Sequence, residues 1–200
     1  MEEFVQSVMA TLGSAGIALL MFLENIFPPI PSELIMPLAG YLTSLGEMHI
    51  LTVIAAGTLG SLCGIVPWYF LGKWLGYDGV RKLAVRHGRW LTMTPADVDS
   101  AAEKFARNGK ASVLLGRLIP TVRTLISIPA GVAGMPFGQF LVLSAIGTFL
   151  WTSALASSGY LLGQAYGIVK DYVDPVSTIV MCLLIGTYIY RVVTYKGAQQ

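Results

Sequence analysis

The chain has 200 residues, 54% of them hydrophobic and only 12% charged, with a formal net charge of +2. An average soluble domain carries about 25% charged residues, so there is too little charge here to cover an exterior in water. The small net charge excludes a nucleic-acid binder working through bulk electrostatics, and the composition implies an all-α, multi-pass integral membrane protein.

Taken in chain order, the N-terminus begins with Glu2 and Glu3, and the apolar stretch after them reaches Glu24 without a small-residue cleavage site. It reads as retained rather than as a secretory signal. Leu12 to Leu45 is apolar but carries Pro28, Pro29, Pro31 and Pro37. Proline removes a backbone donor and clashes with the preceding turn, so residues 12–45 are expected to form two half-helices around an irregular break. Such a break survives at membrane depth only inside protein or beside water, which makes this a re-entrant hairpin.

Ile50 to Leu71 is long enough to cross the hydrocarbon core, which takes about 20 residues, and a transmembrane helix is expected over 50–72. Gly60 and Gly64 lie four apart in it, a spacing that permits close helix contact. Residues 73–110 hold Lys73, Arg81, Lys82, Arg86, Arg89, Lys104, Arg107 and Lys110 against Asp78, Asp97, Asp99 and Glu103. That basic excess implies a cytoplasmic segment. Within it, Thr94-Pro95-Ala96-Asp97 reads as a helix start and Asn108-Gly109 as a stop, with Val98, Ala101, Ala102 and Phe105 on one amphipathic face.

Residues 111–135 are apolar again and are cut by Pro120 and Pro129, a second expected re-entrant hairpin. Transmembrane helices are expected over 136–164, where Gly159 and Gly163 repeat the four-residue spacing, and over 175–193. Counting crossings from the basic segment puts the two hairpins on opposite faces and returns Arg191 and Lys196 to the cytoplasm. The resulting arrangement has about three full transmembrane helices and two opposed re-entrant hairpins in an inverted repeat, an architecture of transporters.

The ionisable residues deep in apolar sequence are Glu24 and Glu33 in the first hairpin and Arg117 and Arg123 in the second. Each would cost about 2.5–3.5 kcal/mol unpaired at a helix centre, so they must pair, protonate or face water. Arg117 and Arg123 are six residues apart and would point about 120° away from each other on an unbroken helix. Pro120 lies midway and lets both reach one cavity, and Pro28, Pro29 and Pro31 interrupt the helix between Glu24 and Glu33 in the same way. Two guanidinium forks beside freed backbone N–H groups suit a phosphate. Glu24 and Glu33 are then expected to balance the arginines in the empty state, and one of them to exchange protons. A structural ion-pair network is the plainer alternative.

Other residues have plainer expectations. Cys63 and Cys182 read as buried small hydrophobes, His49 and His87 as loop residues, and Trp68, Trp74, Trp90 and Trp151 as interface belts or packing. Tyr41 and Ser127 are polar groups near enough to assist the site. Nothing calls for a metal or an organic cofactor, and a homo-oligomer is left open.

The pattern F-L-E-N-x-F-P-P-x-P-S-E followed by P-L-A-G-Y, then G-R-x-I-P-x-V-R-T-x-x-S-x-P-A-G-x-x-G-M, resembles the DedA family of bacterial membrane proteins, also described as the VTT or SNARE-associated domain family. The resemblance spans roughly Leu12 to Gly163. It implies two opposed re-entrant hairpins in the bacterial cell membrane and, for several members, translocation of phospholipids or of undecaprenyl phosphate, with links to the proton-motive force. By position, the family's functional acids fall on Glu24 and Glu33 and its arginines on Arg117 and Arg123. One departure is Ile65, where many members carry a polar residue, often Asp.

The expected function is a flippase or scramblase for a phosphate-bearing lipid, undecaprenyl phosphate first and phosphatidylethanolamine next. A proton-coupled transporter of a small ion or osmolyte is the alternative, since it needs the same midplane charges. A lipid-phosphate enzyme lacks a recognisable nucleophile motif, and a scaffold would leave the four charges without a reason.

Overall fold

The computed structural model describes residues 2–26, 32–91, 94–119 and 122–163, together with 186, 190 and 192–194. Among these residues the secondary structure is helical, with no strand. The helices are α1 (Glu2–Leu12), α2 (Ser14–Ile26), α3 (Ser32–Ser44), α4 (Ile50–Leu91), α5 (Pro95–Gly116), α6 (Ser127–Val132) and α7 (Phe137–Leu162). Pro28, Pro29, Pro31 and Pro120 lie outside the described residues, as do Cys182 and most of the expected C-terminal helix over 175–193.

The two apolar runs expected to cross the membrane lie in α4 and α7, and both helices are long and apolar enough to do so. Their outward faces carry Leu51, Leu59, Phe149 and Leu161, the last 81% exposed. Large apolar side chains left bare along two long helices fit a lipid surround and not an aqueous one. Cys63 also lies on an exposed face of α4, against the expectation that it is buried: an apolar residue on a helix in lipid faces outward at no cost.

Helix α4 does not end where its apolar run ends. It continues to Leu91, 42 residues in all, about 63 Å if straight and twice the thickness of a hydrocarbon core. Gly76 takes a φ of 61° inside it, a left-handed conformation that only glycine adopts without strain. The helix is thereby interrupted just past Lys73. Beyond Gly76, Val80 and Ala84 pack on Val98 of α5, while Tyr77 and Arg81 both donate to the Asp99 carboxylate, at 2.6 and 3.4 Å.

The start of α5 is as read from sequence. Thr94 and Asp97 form a reciprocal capping box with Pro95 in the first turn, satisfying two backbone donors that a bare helix end would expose. Val98 and Phe105 are buried on the expected face. The Asn108-Gly109 pair, expected to stop the helix, bends it instead. Asn108 leaves helical geometry (φ −137°, ψ 35°) and the helix resumes at once, running on to Gly116.

Glycine sets how closely the helices cross. A Cβ on Gly60 would stand 2.1 Å from the Ala18 carbonyl oxygen, and one on Gly64 2.7 Å from that of Phe22, so α4 lies backbone to backbone on α2. Gly40 and Gly159 do the same for α3 and α7, against the carbonyl oxygens of Ala156 and Pro37, and Gly131 and Gly72 for α6 and α4, against those of Tyr69 and Ile128. Gly147 of α7 meets Arg117 and Leu114 of α5. The two long helices are thus used alike. Gly60 and Gly147 receive α2 and the end of α5, each from its own half of the chain, and twelve residues on, Gly72 and Gly159 receive α6 and α3, each from the other half. Each half is locked through the other's long helix.

Two apolar clusters fill the interior. One joins α1, α2 and α3 to the start of α4 and to Ala156 of α7. The other gathers Ile65, Tyr69, Phe105, Val113, Ala130, Met135 and Phe140 from α4 to α7. Ile65, the departure from the family pattern, is 1% exposed and serves as an apolar part of this second cluster.

Candidate functional site

Glu24 stands in the last turn of α2, Glu33 in the first turn of α3, Arg117 at the C-cap of α5, and Arg123 in the turns leading to α6. A cation at a helix C-terminus and an anion at a helix N-terminus both complement the helix dipole. Arg117 and Glu33 are therefore well placed by their own helices. Glu24, at a C-terminus, needs an external cation, and Arg123 supplies it: the two form an ion pair with both residues 8% exposed.

The expectation that both glutamates balance both arginines is met only by this pair. Arg117 is 2% exposed, and its hydrogen-bond partners are neutral. It donates through Nε to the Ser144 hydroxyl at 3.3 Å, through Nη2 to the Ser127 hydroxyl at 2.9 Å, and through Nη1 to the backbone carbonyl of Arg123. The ring of Phe140 lies beneath it, 5.5 Å from the guanidinium carbon, a cation–π contact strengthened by exclusion of water. Among the described residues Arg117 has no carboxylate partner and Glu33 no cationic one. Buried oxygens of both acids, Oε2 of Glu24 and Oε1 of Glu33, have no hydrogen-bond partner there.

Several contributors lay beyond the sequence reading. Asn25, 3% exposed, caps its own helix by donating to the Met21 carbonyl at 2.8 Å and accepts from the Thr124 hydroxyl at 3.3 Å. Its own carbonyl accepts from the Trp68 indole at 2.8 Å. One residue thus ties the end of α2 to the Arg123 turn and to α4. A polar amide beside Glu24 in an apolar run was the available signal. Ser144 carried none, since a serine costs little in a membrane helix.

Two of the four tryptophans belong to the site and not to a surface belt. Trp68 holds Asn25, while Trp151 lies 6.0 Å from the Arg123 guanidinium carbon and donates to the Ser32 hydroxyl at 3.4 Å. Trp74 is 82% exposed, as a lipid-facing residue would be. Ser127 assists Arg117 as expected, whereas Tyr41 packs against the first apolar cluster. No cluster of three or more His, Cys, Asp or Glu that could hold a metal occurs among the described residues.

Two membrane-capable helices packed on short helices, with charges from both halves gathered in the interior, define an α-helical membrane protein with an internal polar site. The VTT domain matches residues 30–161, and the chain belongs to that family, the DedA family of membrane proteins. It is 38% identical over 185 residues to "Alkaline phosphatase-like protein" of Lactococcus lactis subsp. cremoris (strain MG1363), covering 92% of this chain and 86% of the relative. It is 31% identical over 200 residues to "Undecaprenyl phosphate transporter A" of Staphylococcus aureus (strain NCTC 8325 / PS 47), covering 100% of this chain and 98% of that one. Identity to "Inner membrane protein YghB" of Escherichia coli (strain K12) is 34% over 170 residues, covering 83% and 74%. No solved structure matches the chain at a significant level.

Proposed function

We propose that this protein moves a phosphate-bearing lipid between the leaflets of a bacterial cell membrane, with undecaprenyl phosphate the first substrate to test and phosphatidylethanolamine the next. The observation that carries the reading is Arg117, a buried guanidinium whose hydrogen bonds, among the described residues, go to neutral acceptors. A buried cation without a counter-charge is costly, and an anionic ligand relieves that cost. The ligand's phosphate oxygens take over the places of the Ser127 and Ser144 hydroxyls, and the fork geometry of arginine matches them. The near full-length likeness to a protein named undecaprenyl phosphate transporter A supports the same class of substrate.

Arg123 is the second phosphate ligand in this reading. Phosphate competes with Glu24 for it, and a displaced buried carboxylate takes up a proton, which couples lipid movement to protons. Glu33, with an unpartnered oxygen at the start of α3, is the second proton-carrying acid. In this reading the four charges belong to two opposed re-entrant hairpins, 12–45 and 111–135. In this reading the helices over 50–72 and 136–164 cross the membrane, and the basic segment 73–110 faces the cytoplasm.

The test is translocation of undecaprenyl phosphate and labelled phospholipids in proteoliposomes, with and without a proton gradient. Movement of one lipid that is lost in Arg117→Ala is expected, with gradient dependence lost in Glu24→Gln or Glu33→Gln. Phosphate release from the lipid in the same vesicles would turn the reading toward the enzyme that one relative's name describes. No lipid movement by folded, inserted protein would turn it toward a small-ion or osmolyte transporter.

A further inference from the structure

A groove of about 480 Å³ lies beside the bend in α5, with Phe105, Arg107, Asn108, Lys110, Met135 and Gln139 among its lining residues. The groove lies at the bend, where Asn108 leaves helical geometry and lines it. It also falls at a boundary in the sequence. Helix α5 is charged and polar from Pro95 to Lys110 and then apolar from Ala111 to Gly116, apart from Ser112. In a membrane protein such a changeover marks the level where headgroups give way to hydrocarbon.

The groove has two kinds of surface. Phe105 and Met135, 6% and 8% exposed, belong to the second apolar cluster and form its floor. Its rim is cationic and amide-bearing. Arg107 shares an exposed i,i+4 ion pair with Glu103 at 2.5 Å. Lys110 is exposed and its ammonium has no hydrogen bond or ion pair among the described residues, so it is an unpaired positive charge at the rim, which Asn108 and Gln139 also line.

The groove lies close to the buried site but does not open into it. Lys110 and Arg117 are seven residues apart on the same straight part of α5, two turns and about 10.5 Å along one face. Met135 of the floor shares a cluster with Phe140, the ring beneath the Arg117 guanidinium. One layer of side chains separates the floor from Arg117.

We propose that this groove holds the headgroup of an anionic phosphate-bearing lipid from the adjoining leaflet, with the phosphate at Lys110 and the first methylenes over Phe105 and Met135. A soluble phosphate would gain nothing from an apolar floor at that depth, whereas a lipid satisfies both surfaces. The inference rests on the translocase reading and deepens it, by naming where the headgroup stands before it reaches Arg117.

The test uses the full chain in phosphatidylcholine nanodiscs with photoactivatable phosphatidic acid or photoactivatable diacylglycerol at equal mole fraction, and cross-links are mapped by mass spectrometry. Phosphatidic acid is expected on the peptides that contain residues 105–111 and 133–139, and diacylglycerol is not. Cross-linking should fall about fivefold in Lys110→Ala and about thirtyfold in Lys110→Glu, from the strength with which one basic group near a membrane holds an anionic lipid. Lys110→Arg should retain it. Arg117→Ala should leave these cross-links in place while lipid translocation in proteoliposomes is lost. Equal labelling by diacylglycerol, or labelling indifferent to Lys110→Glu, overturns the groove and leaves the translocase standing. Lys110-dependent labelling in a protein that translocates no lipid keeps the groove and overturns the translocase.

Discussion

Glu24 and Arg123 pair between the first and second halves of the chain, each 8% exposed. Removing one member of a buried pair strands the other charge and costs about 3–5 kcal/mol, whereas removing both leaves no stranded charge. Glu24→Gln and Arg123→Gln should therefore each lower stability by that amount, and the double substitution should recover most of the loss. A double-mutant cycle on unfolding in detergent measures it. A coupling near zero would mean that the two residues do not meet in the membrane-embedded protein.

Gly72 and Gly159 receive the short helices α6 and α3, where an added Cβ would stand 2.3 Å from the Ile128 carbonyl oxygen and 1.9 Å from that of Pro37. A methyl group cannot be accommodated there without parting the helices. Gly72→Ala and Gly159→Ala should each cost about 1–3 kcal/mol, the usual cost of overpacking. Gly138 of α7 has nothing within 4 Å of such a Cβ. Gly138→Ala should be neutral or stabilising by up to about 1 kcal/mol, because alanine is the better helix former. Midpoints of thermal unfolding for the three variants decide the matter, and equal effects at all three positions would remove the special role of the crossings.

The helical class and the membrane surround were legible because hydropathy is a property of single residues read along a line. The four charges were legible because a charge in an apolar run has a cost that demands a reason. Which charges pair was not legible: joining Glu24 to Arg123, and leaving Arg117 to Ser127 and Ser144, depends on the register between two halves far apart in sequence. The contributions of Asn25, Thr124 and Ser144 were hidden for a related reason, since small polar groups are ordinary in membrane helices. Cys63 was misplaced because α4 is apolar all round there, and nothing in its pattern says which face is outward. The run of α4 past Lys73 was missed because hydropathy drops there and Gly76, Asp78 and Gly79 lower helix propensity, so the sequence offered no sign that the helix resumes beyond its interruption at Gly76.

Arg117 is held by a fork of donors to two hydroxyls and a carbonyl, an arrangement that lysine cannot reproduce. Arg117→Lys keeps the charge and loses the planar geometry. If the residue served only to hold this buried hydrogen-bond network, the change would lower stability and translocation together. As a phosphate ligand it should cost at least tenfold in the rate of lipid translocation, with the protein still folded. Ser144→Ala removes one neutral acceptor and should lower stability by about 0.5–1.5 kcal/mol, the net worth of a typical hydrogen bond. Initial rates in proteoliposomes, set beside unfolding midpoints, separate the two roles.

Cys63 lies on an exposed face of α4, one position before Gly64, which meets Asn25 and Phe22 on the buried face. Adjacent helical residues are turned 100° from each other, so a label at Cys63 points away from the charged interior. A nitroxide placed there, on a Cys182→Ser background, should be reached by molecular oxygen, which concentrates in hydrocarbon, far more than by a water-soluble nickel chelate. Accessibility measured by electron paramagnetic resonance in liposomes reads this directly. The opposite ratio would place this part of α4 against water, and the apolar faces of α4 and α7 would then need a protein partner to cover them instead of lipid.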